Sequence, residues 1–269
     1  MTFKFDSIYL DNPIECGRVM DIFEPEAVTQ DIALLFVHGG GWGAGTRTCY
    51  HTIMRGFNEQ GFICASIDYR LGSDNVKILD QITDIRHAYD EFVSYLKTNK
   101  RPLKIFVNGS SAGAHLAELL AFALPGECGE NLSYKSRELE NEWIKPVGAA
   151  VQAAPVTFEP WEDIFPGIWT SMKWIAGVSY EQNPELYRRI SPITYLRPGI
   201  CPVFQLAAEN EHMFPIRQTE YFVKQIQALG TNARFKVYAN AEHGFFYDLT
   251  RRQQKEAFAD ILEFIASIK

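Results

Sequence analysis

Apolar positions in this chain fall into two rhythms. Short, nearly unbroken apolar runs at 31–37, 62–67, 103–108, 147–152 and 201–207 carry hydrophobic side chains toward both faces, the pattern of strands covered on two sides. Between them apolar residues recur at three- and four-residue steps. Ile78, Ile82, Ile85, Tyr89, Phe92 and Leu96 predict an amphipathic helix over 75–98, and Phe258, Ile261, Leu262, Ile265 and Ile268 predict a closing helix. A further helix at 215–229 and a strand at 234–238 are expected. The opening segments 3–9 and 18–23 read as a hairpin joined through the turn-prone Asp11, Asn12 and Pro13. The 269 residues suffice for one large α/β domain or two small ones, and no composition break marks a linker.

Charge and cysteine usage narrow the function classes. A net charge of −7 with no Lys/Arg stripe argues against a nucleic-acid or anionic-membrane partner. No stretch approaches the roughly 20 apolar residues that a membrane helix requires, and residues 1–6 lack a basic and apolar leader pattern, so a cytoplasmic protein is expected. Cys16, Cys49, Cys64, Cys128 and Cys201 are odd in number and never spaced as Cys-x-x-Cys, which predicts reduced, mostly buried thiols and neither a disulfide framework nor a metal site.

The candidate chemistry centres on 103–123. An apolar run stops at Gly109, Ser110, Ser111, Ala112 and Gly113 and gives way to a helical stretch from Ala114 to Ala123. Glycines two before and two after Ser111 suit a nucleophile elbow, a strand-to-helix turn too tight for a Cβ at either flank. Such a turn exposes the Ser111 hydroxyl and sets the Ala112 N–H and a helix N-terminus beside it. The Gly-x-Ser-x-Gly pattern is weak alone, and its strand-to-helix placement strengthens it.

The glycine run after 31–37, His38-Gly39-Gly40-Gly41-Trp42-Gly43, permits two readings. With Ala44, and Asp68 after the next apolar run, it imitates a dinucleotide fingerprint. Against this, Trp42, Gly43 and Gly45 stand where the phosphate-binding helix would already have begun, and glycine is poor in a first helical turn. A Walker loop fails for lack of Gly-Lys-Ser/Thr. The second reading is an oxyanion loop in which Gly40 and Gly41 direct their N–H groups at a carbonyl oxygen. It also accounts for Ser111. Asp68 and Arg70 are expected to pair with each other or to hold the turn after their strand. His87 is expected at the surface, and His115 to pack against the sheet.

Taken together, His38-Gly39-Gly40-Gly41-Trp42, Asp68-Tyr69-Arg70-Leu71 and the run from Gly109 to Ala117 resemble the successive signatures of the α/β-hydrolase esterase/lipase families related to hormone-sensitive lipase and the small bacterial acetylesterases. The similarity runs from about residue 30 to the C-terminus and is least typical over 125–190. It implies an α/β-hydrolase fold, a mostly parallel eight-stranded sheet with helices on both faces, and a Ser, acid, His triad. In similar hydrolases the acid lies four residues before a proline, usually as aspartate. Here that position is Glu211, ahead of Pro215, with Glu209 as the fallback. His243, between Glu242 and Gly244 after the last expected strand, completes the order Ser111, Glu211, His243 of α/β-hydrolases.

Residues 156–190, dense in aromatics and prolines, are expected to form a small cap or wall over the site, with 125–145 a charged surface excursion and the whole chain one domain. Trp42, Trp161 and Trp169 are the expected substrate contacts. These residues predict a serine carboxylesterase without metal or organic cofactor, acting on a small-molecule ester with a short acyl group such as acetyl. By resemblance the alcohol is a carbohydrate, and a homodimer is the assembly allowed. The alternatives are an amide hydrolase of arylformamidase or peptidase type, and a binding module on the same fold. The binding module fits less well because Ser111 and His243 are both present.

Overall fold

The computed structural model describes residues 2–8, 18–133 and 143–268. Eight strands form one sheet in the order β1-β2-β4-β3-β5-β6-β7-β8. They are β1 (Thr2–Ile8), β2 (Val19–Glu24), β3 (Ile32–Val37), β4 (Cys64–Ile67), β5 (Lys104–Ser110), β6 (Gly148–Gln152), β7 (Val203–Asn210) and β8 (Ala233–Glu242). β2 pairs antiparallel with both β1 and β4, and every pair from β4 through β3 to β8 is parallel. Among the described residues seven α-helices lie between or after them: α1 (His51–Glu59), α2 (Ile78–Thr98), α3 (Ala112–Phe122), α4 (Pro166–Ala176), α5 (Pro184–Arg189), α6 (Ile216–Ala228) and α7 (Arg252–Ala266).

The two-sided apolar runs explain the layering. Successive side chains of a strand point to opposite faces. Leu35, Val37, Ile105, Val107, Ala149 and Val151 therefore meet Ile82, Ile85, Tyr89 and Phe92 of α2, the small residues of α3 and Phe222 and Ile226 of α6 on one face. Leu34, Phe36, Phe106, Phe204 and Leu206 meet Ile53 and Phe57 of α1 and Ile261 and Phe264 of α7 on the other.

Strand order reverses between β3 and β5. Chain progression from β3 to β4 moves toward one edge of the sheet and from β5 to β8 toward the other, so a crevice opens at the carboxyl ends of β3 and β5. Their register sets Val37 opposite Gly109, which brings the glycine run and the Ser111 turn side by side.

Several boundaries differ from the sequence reading for identifiable reasons. α2 begins at Ile78 because the Asp80 carboxylate accepts from the Lys77 N–H at 2.9 Å and caps the first turn. β7 and β8 extend past their apolar runs, pairing Asn210 with Glu242, and the Asn210 amide donates to the Glu242 carboxylate at 2.9 Å. Glu211 consequently follows directly on a strand. The expected turn at 11–13 lies outside the described residues, as does 134–142 of the expected excursion. The described part of that excursion is not all surface, since Glu130 is buried against the buried Arg86 at 3.0 Å.

His87 is also buried, with Nε2 at 3.5 Å from Glu91, contrary to the expected surface position. Asp68 and Arg70 do not pair. Asp68 accepts from the Arg47 backbone N–H and guanidinium, each at 2.6 Å, while Arg70 engages Asp84 at 2.9 Å, so each has a stronger partner from a remote segment.

Candidate active site

Ser111 stands between β5 and α3 with φ 54° and ψ −120°, a strained backbone. Its flanking glycines are there because backbone crosses close by. A Cβ on Gly109 would sit 2.4 Å from the Gly113 carbonyl oxygen, and one on Gly113 would sit 2.2 Å from that of Val37. The Ser111 N–H donates to the Gln152 carbonyl at 2.9 Å, tying the turn to β6.

His243 Nε2 lies 2.9 Å from the Ser111 hydroxyl and His243 Nδ1 lies 2.7 Å from Glu211 Oε2. The other Glu211 oxygen accepts from the Met213 N–H at 2.8 Å and the Phe214 N–H at 3.3 Å. Burial would by itself raise the Glu211 pKa. The bond from His243, the electrostatic attraction of that ring and the two amides outweigh it and hold the carboxyl below its ordinary value. An ionised Glu211 can only accept, so Nδ1 carries the proton and the bare Nε2 accepts from the Ser111 O–H. Glu209 is engaged elsewhere, accepting the Asn240 N–H at 2.8 Å.

These groups open on a cavity of about 330 Å³ lined by Gly40, Gly41, Ser111, His243, Gly244 and Tyr247 and walled by Phe165, Gly167, Ile168, Ser171 and Met213. Gly40 and Gly41 have φ of 119° and 58°, backbone that glycine adopts freely. Ala112 is the first residue of α3, so its amide is among those that a helix leaves without an internal partner. The Tyr247 hydroxyl accepts the Gly39 N–H at 2.8 Å and joins the histidine-bearing loop to the glycine run.

None of the three tryptophans expected as substrate contacts is among the residues that line this cavity. Trp42 has no exposure and its ring turns inward against His115 and Phe158, its carbonyl held by Gly72 and Gln81 and its indole by His115. Trp161 packs on Phe214 at 6.5 Å between ring centroids and Trp169 on Tyr187 at 5.8 Å, so both serve to seat the 156–190 segment. The wall comes instead from Phe165 and the first turns of α4, and from Met213 and Tyr247, which neighbour Glu211 and His243 in sequence. That adjacency is the signal that could have found them.

A parallel sheet reversing between β3 and β5, with Ser111, His243 and Glu211 hydrogen-bonded in sequence at its crevice, has the α/β-hydrolase arrangement. The chain belongs to the BD-FAE family, which matches residues 20–226, and residues 185–268 also match the dienelactone hydrolase family. Similar proteins include esterase LipQ of Mycobacterium tuberculosis, 28% identical over 85% of this chain and 54% of that protein. Isoprenylcysteine alpha-carbonyl methylesterase ICME of Arabidopsis thaliana is 24% identical over 86% of this chain and 55% of its own length. The chain spans about half the length of the curated relatives it matches. The fold recurs in Thermogutta terrifontis esterase 2 phosphonylated by sarin, with a TM-score of 0.82 at 19% identity over 98% of this chain and 94% of that one. Among the described residues no helix is long and apolar enough to cross a membrane.

Proposed function

We propose that this chain is a serine carboxylesterase for short-chain acyl esters. The observation that carries the reading is the continuous line of hydrogen bonds from Glu211 through His243 to Ser111, ending in a cavity bordered by the Gly40 and Gly41 backbone.

In this mechanism Ser111 Oγ attacks the ester carbonyl as His243 Nε2 takes its proton, and the protonated imidazole then gives that proton to the departing alcohol. Glu211 keeps the proton on Nδ1 beforehand and stabilises the imidazolium that forms. The Gly40, Gly41 and Ala112 amides hold the oxyanion of the tetrahedral intermediate, each such donor supplying about a hundred- to a thousandfold in rate. Water then attacks the acyl-enzyme with His243 as its base and releases the acid.

The short-acyl preference is supported by the modest cavity and by the apolar Phe165, Ile168 and Met213 that close it. Structures of Thermogutta terrifontis esterase 2 with propionate and with butyrate bound are among the fold's neighbours. For the alcohol, the resemblance to deacetylases of sugars and xylan fragments makes an acetylated carbohydrate the substrate to try.

Hydrolysis of p-nitrophenyl acetate tests the mechanism. Ser111→Ala and His243→Ala are each expected to lose roughly 10⁴-fold or more in kcat, and turnover near that of the wild type in either ends it. Across acyl chains of two to twelve carbons activity is expected to peak at the short end, and a maximum at the long end contradicts the acyl assignment.

A further inference from the structure

Trp42 has a φ of 63°, a left-handed backbone that a bulky side chain adopts only where its surroundings over-determine it. Three hydrogen bonds do so. The Trp42 carbonyl accepts from the Gly72 N–H at 2.8 Å and from Gln81 Nε2 at 2.7 Å. Its indole Nε1 donates to His115 Nδ1 at 3.3 Å.

An indole nitrogen only donates, so His115 Nδ1 must be the bare nitrogen of a neutral ring. The proton sits on Nε2, which donates to the Ile190 carbonyl at 2.7 Å. His115 has no exposure, and burial pushes its pKa down to about 4, which preserves this neutral form through the neutral pH range.

Both ends of the 156–190 segment close on the same ring. Phe158, at its leading end, lies 4.5 Å from the His115 centroid and meets Trp42 edge-on at 5.2 Å. Ile190, at its trailing end, supplies the carbonyl. One buried imidazole thus touches the glycine run through Trp42, the wall of the cavity through both of its ends, and the elbow helix on which it is carried.

We propose that His115 is a positioning residue that holds Trp42 against Ile190, fixing the Gly40 and Gly41 peptide units over Ser111 and tying their placement to the cavity wall. This rests on the esterase reading, because it takes those amides as the oxyanion donors. Removing the link leaves the general base and nucleophile in place and loosens the groups that meet charge in the transition state. The loss therefore falls on kcat rather than on KM. Glutamine at 115 offers one acceptor and one donor on its amide and can restore both bonds, whereas phenylalanine fills the volume and restores neither.

The test compares wild type with His115→Phe, His115→Gln, Trp42→Phe and the double variant His115→Phe/Trp42→Phe, using p-nitrophenyl acetate kinetics and inhibition by a methylboronic acid that forms a tetrahedral adduct on Ser111. His115→Phe and Trp42→Phe are each expected to lose about tenfold in kcat, the size of one broken hydrogen bond whose partner stays buried. KM should change little and boronate affinity should fall in parallel with kcat. The double variant should be no slower than the slower single, and His115→Gln should recover most of the loss. Wild-type kcat in His115→Phe, additive losses in the double, or glutamine no better than phenylalanine would overturn the proposal. If His115→Phe does not fold, Trp42→Phe decides, and wild-type kcat there overturns it. Failure of the esterase reading is seen separately, as a wild type without ester hydrolysis or an active Ser111→Ala, and it removes this proposal as well.

Discussion

Glu118 offers a stability test that is independent of activity. It lies midway along α3, fully buried, where Gln205 Nε2 on β7 donates to one of its oxygens while Glu118 Oε2 and Gln205 Oε1 meet no partner. Burial, opposed in part by the Gln205 bond, pushes the Glu118 pKa up to about 8 from an ordinary value of 4.5. A carboxyl raised in this way keeps its proton in the folded state at pH values where the unfolded chain has already lost it. Its contribution is full below the unfolded pKa and is lost as pH rises through the interval, at about 1.4 kcal/mol per pH unit, until it levels off above the folded pKa. Over the interval from 4.5 to about 8 the loss is on the order of 5 kcal/mol, a large part of an ordinary domain's stability. Glu118→Gln stays neutral throughout, has a similar helix propensity, and brings an N–H that can serve Gln205 Oε1. Urea unfolding followed by tryptophan fluorescence at pH 5, 6.5 and 8 should find the variant close to wild type at the acid end and more stable by roughly 3–5 kcal/mol at pH 8. A stability difference that stays flat or shrinks as pH rises would refute the reasoning.

Substitutions at three further places probe the triad acid, the elbow and a buried ion pair. Glu211→Gln should keep the fold but favour the wrong imidazole tautomer, lowering kcat roughly 10³- to 10⁴-fold in ester hydrolysis; retention of more than a tenth of wild-type kcat would leave Glu209 or another group as the acid. Gly113→Ala would put a Cβ 2.2 Å from the Val37 carbonyl oxygen, so β3 and the elbow must separate, and activity should be lost together with several degrees of Tm measured by circular dichroism. Arg86→Met leaves Glu130 buried without its ion pair and should cost about 3–5 kcal/mol in urea unfolding. Removing both charges in Arg86→Met/Glu130→Leu should recover much of that loss, and a double variant as unstable as the single would contradict the explanation.

What could be read in the chain beforehand divides along physical lines. Strand and helix positions were legible because two-sided apolar runs and three- and four-residue spacing report burial directly, as in 31–37 and 75–98. Ser111 was legible because the flanking glycines of the elbow report a tight turn directly, whereas Glu211 and His243 were legible through the family resemblance, by the acid's place before Pro215 and the order Ser, acid, His. The structure brings all three into one hydrogen-bonded line. Choosing Glu211 over Glu209 required knowing where β7 ends, which depends on pairing with β8 and not on local composition. The tryptophans were misread for a related reason. Aromatic density announces a wall, but whether Trp42 faces solvent or core depends on partners remote in sequence, Gly72, Gln81 and His115. Buried ionisable groups such as Arg86, Glu118 and Glu130 leave no mark in a periodicity, since a helix face is recognised by its apolar members and the partners arrive from segments remote in sequence.

In the proposed mechanism Ser111 becomes transiently acylated while His243 and Glu211 activate it. Intact-mass spectrometry with peptide mapping after rapid acid quench of the protein mixed with p-nitrophenyl butyrate tests this directly. A mass increase equal to one butyryl group on the peptide carrying Ser111, lost in Ser111→Ala and strongly slowed in His243→Ala, is the predicted result. Hydrolysis that proceeds at the wild-type rate in Ser111→Ala, or an acyl group mapped reproducibly to another residue, would contradict it.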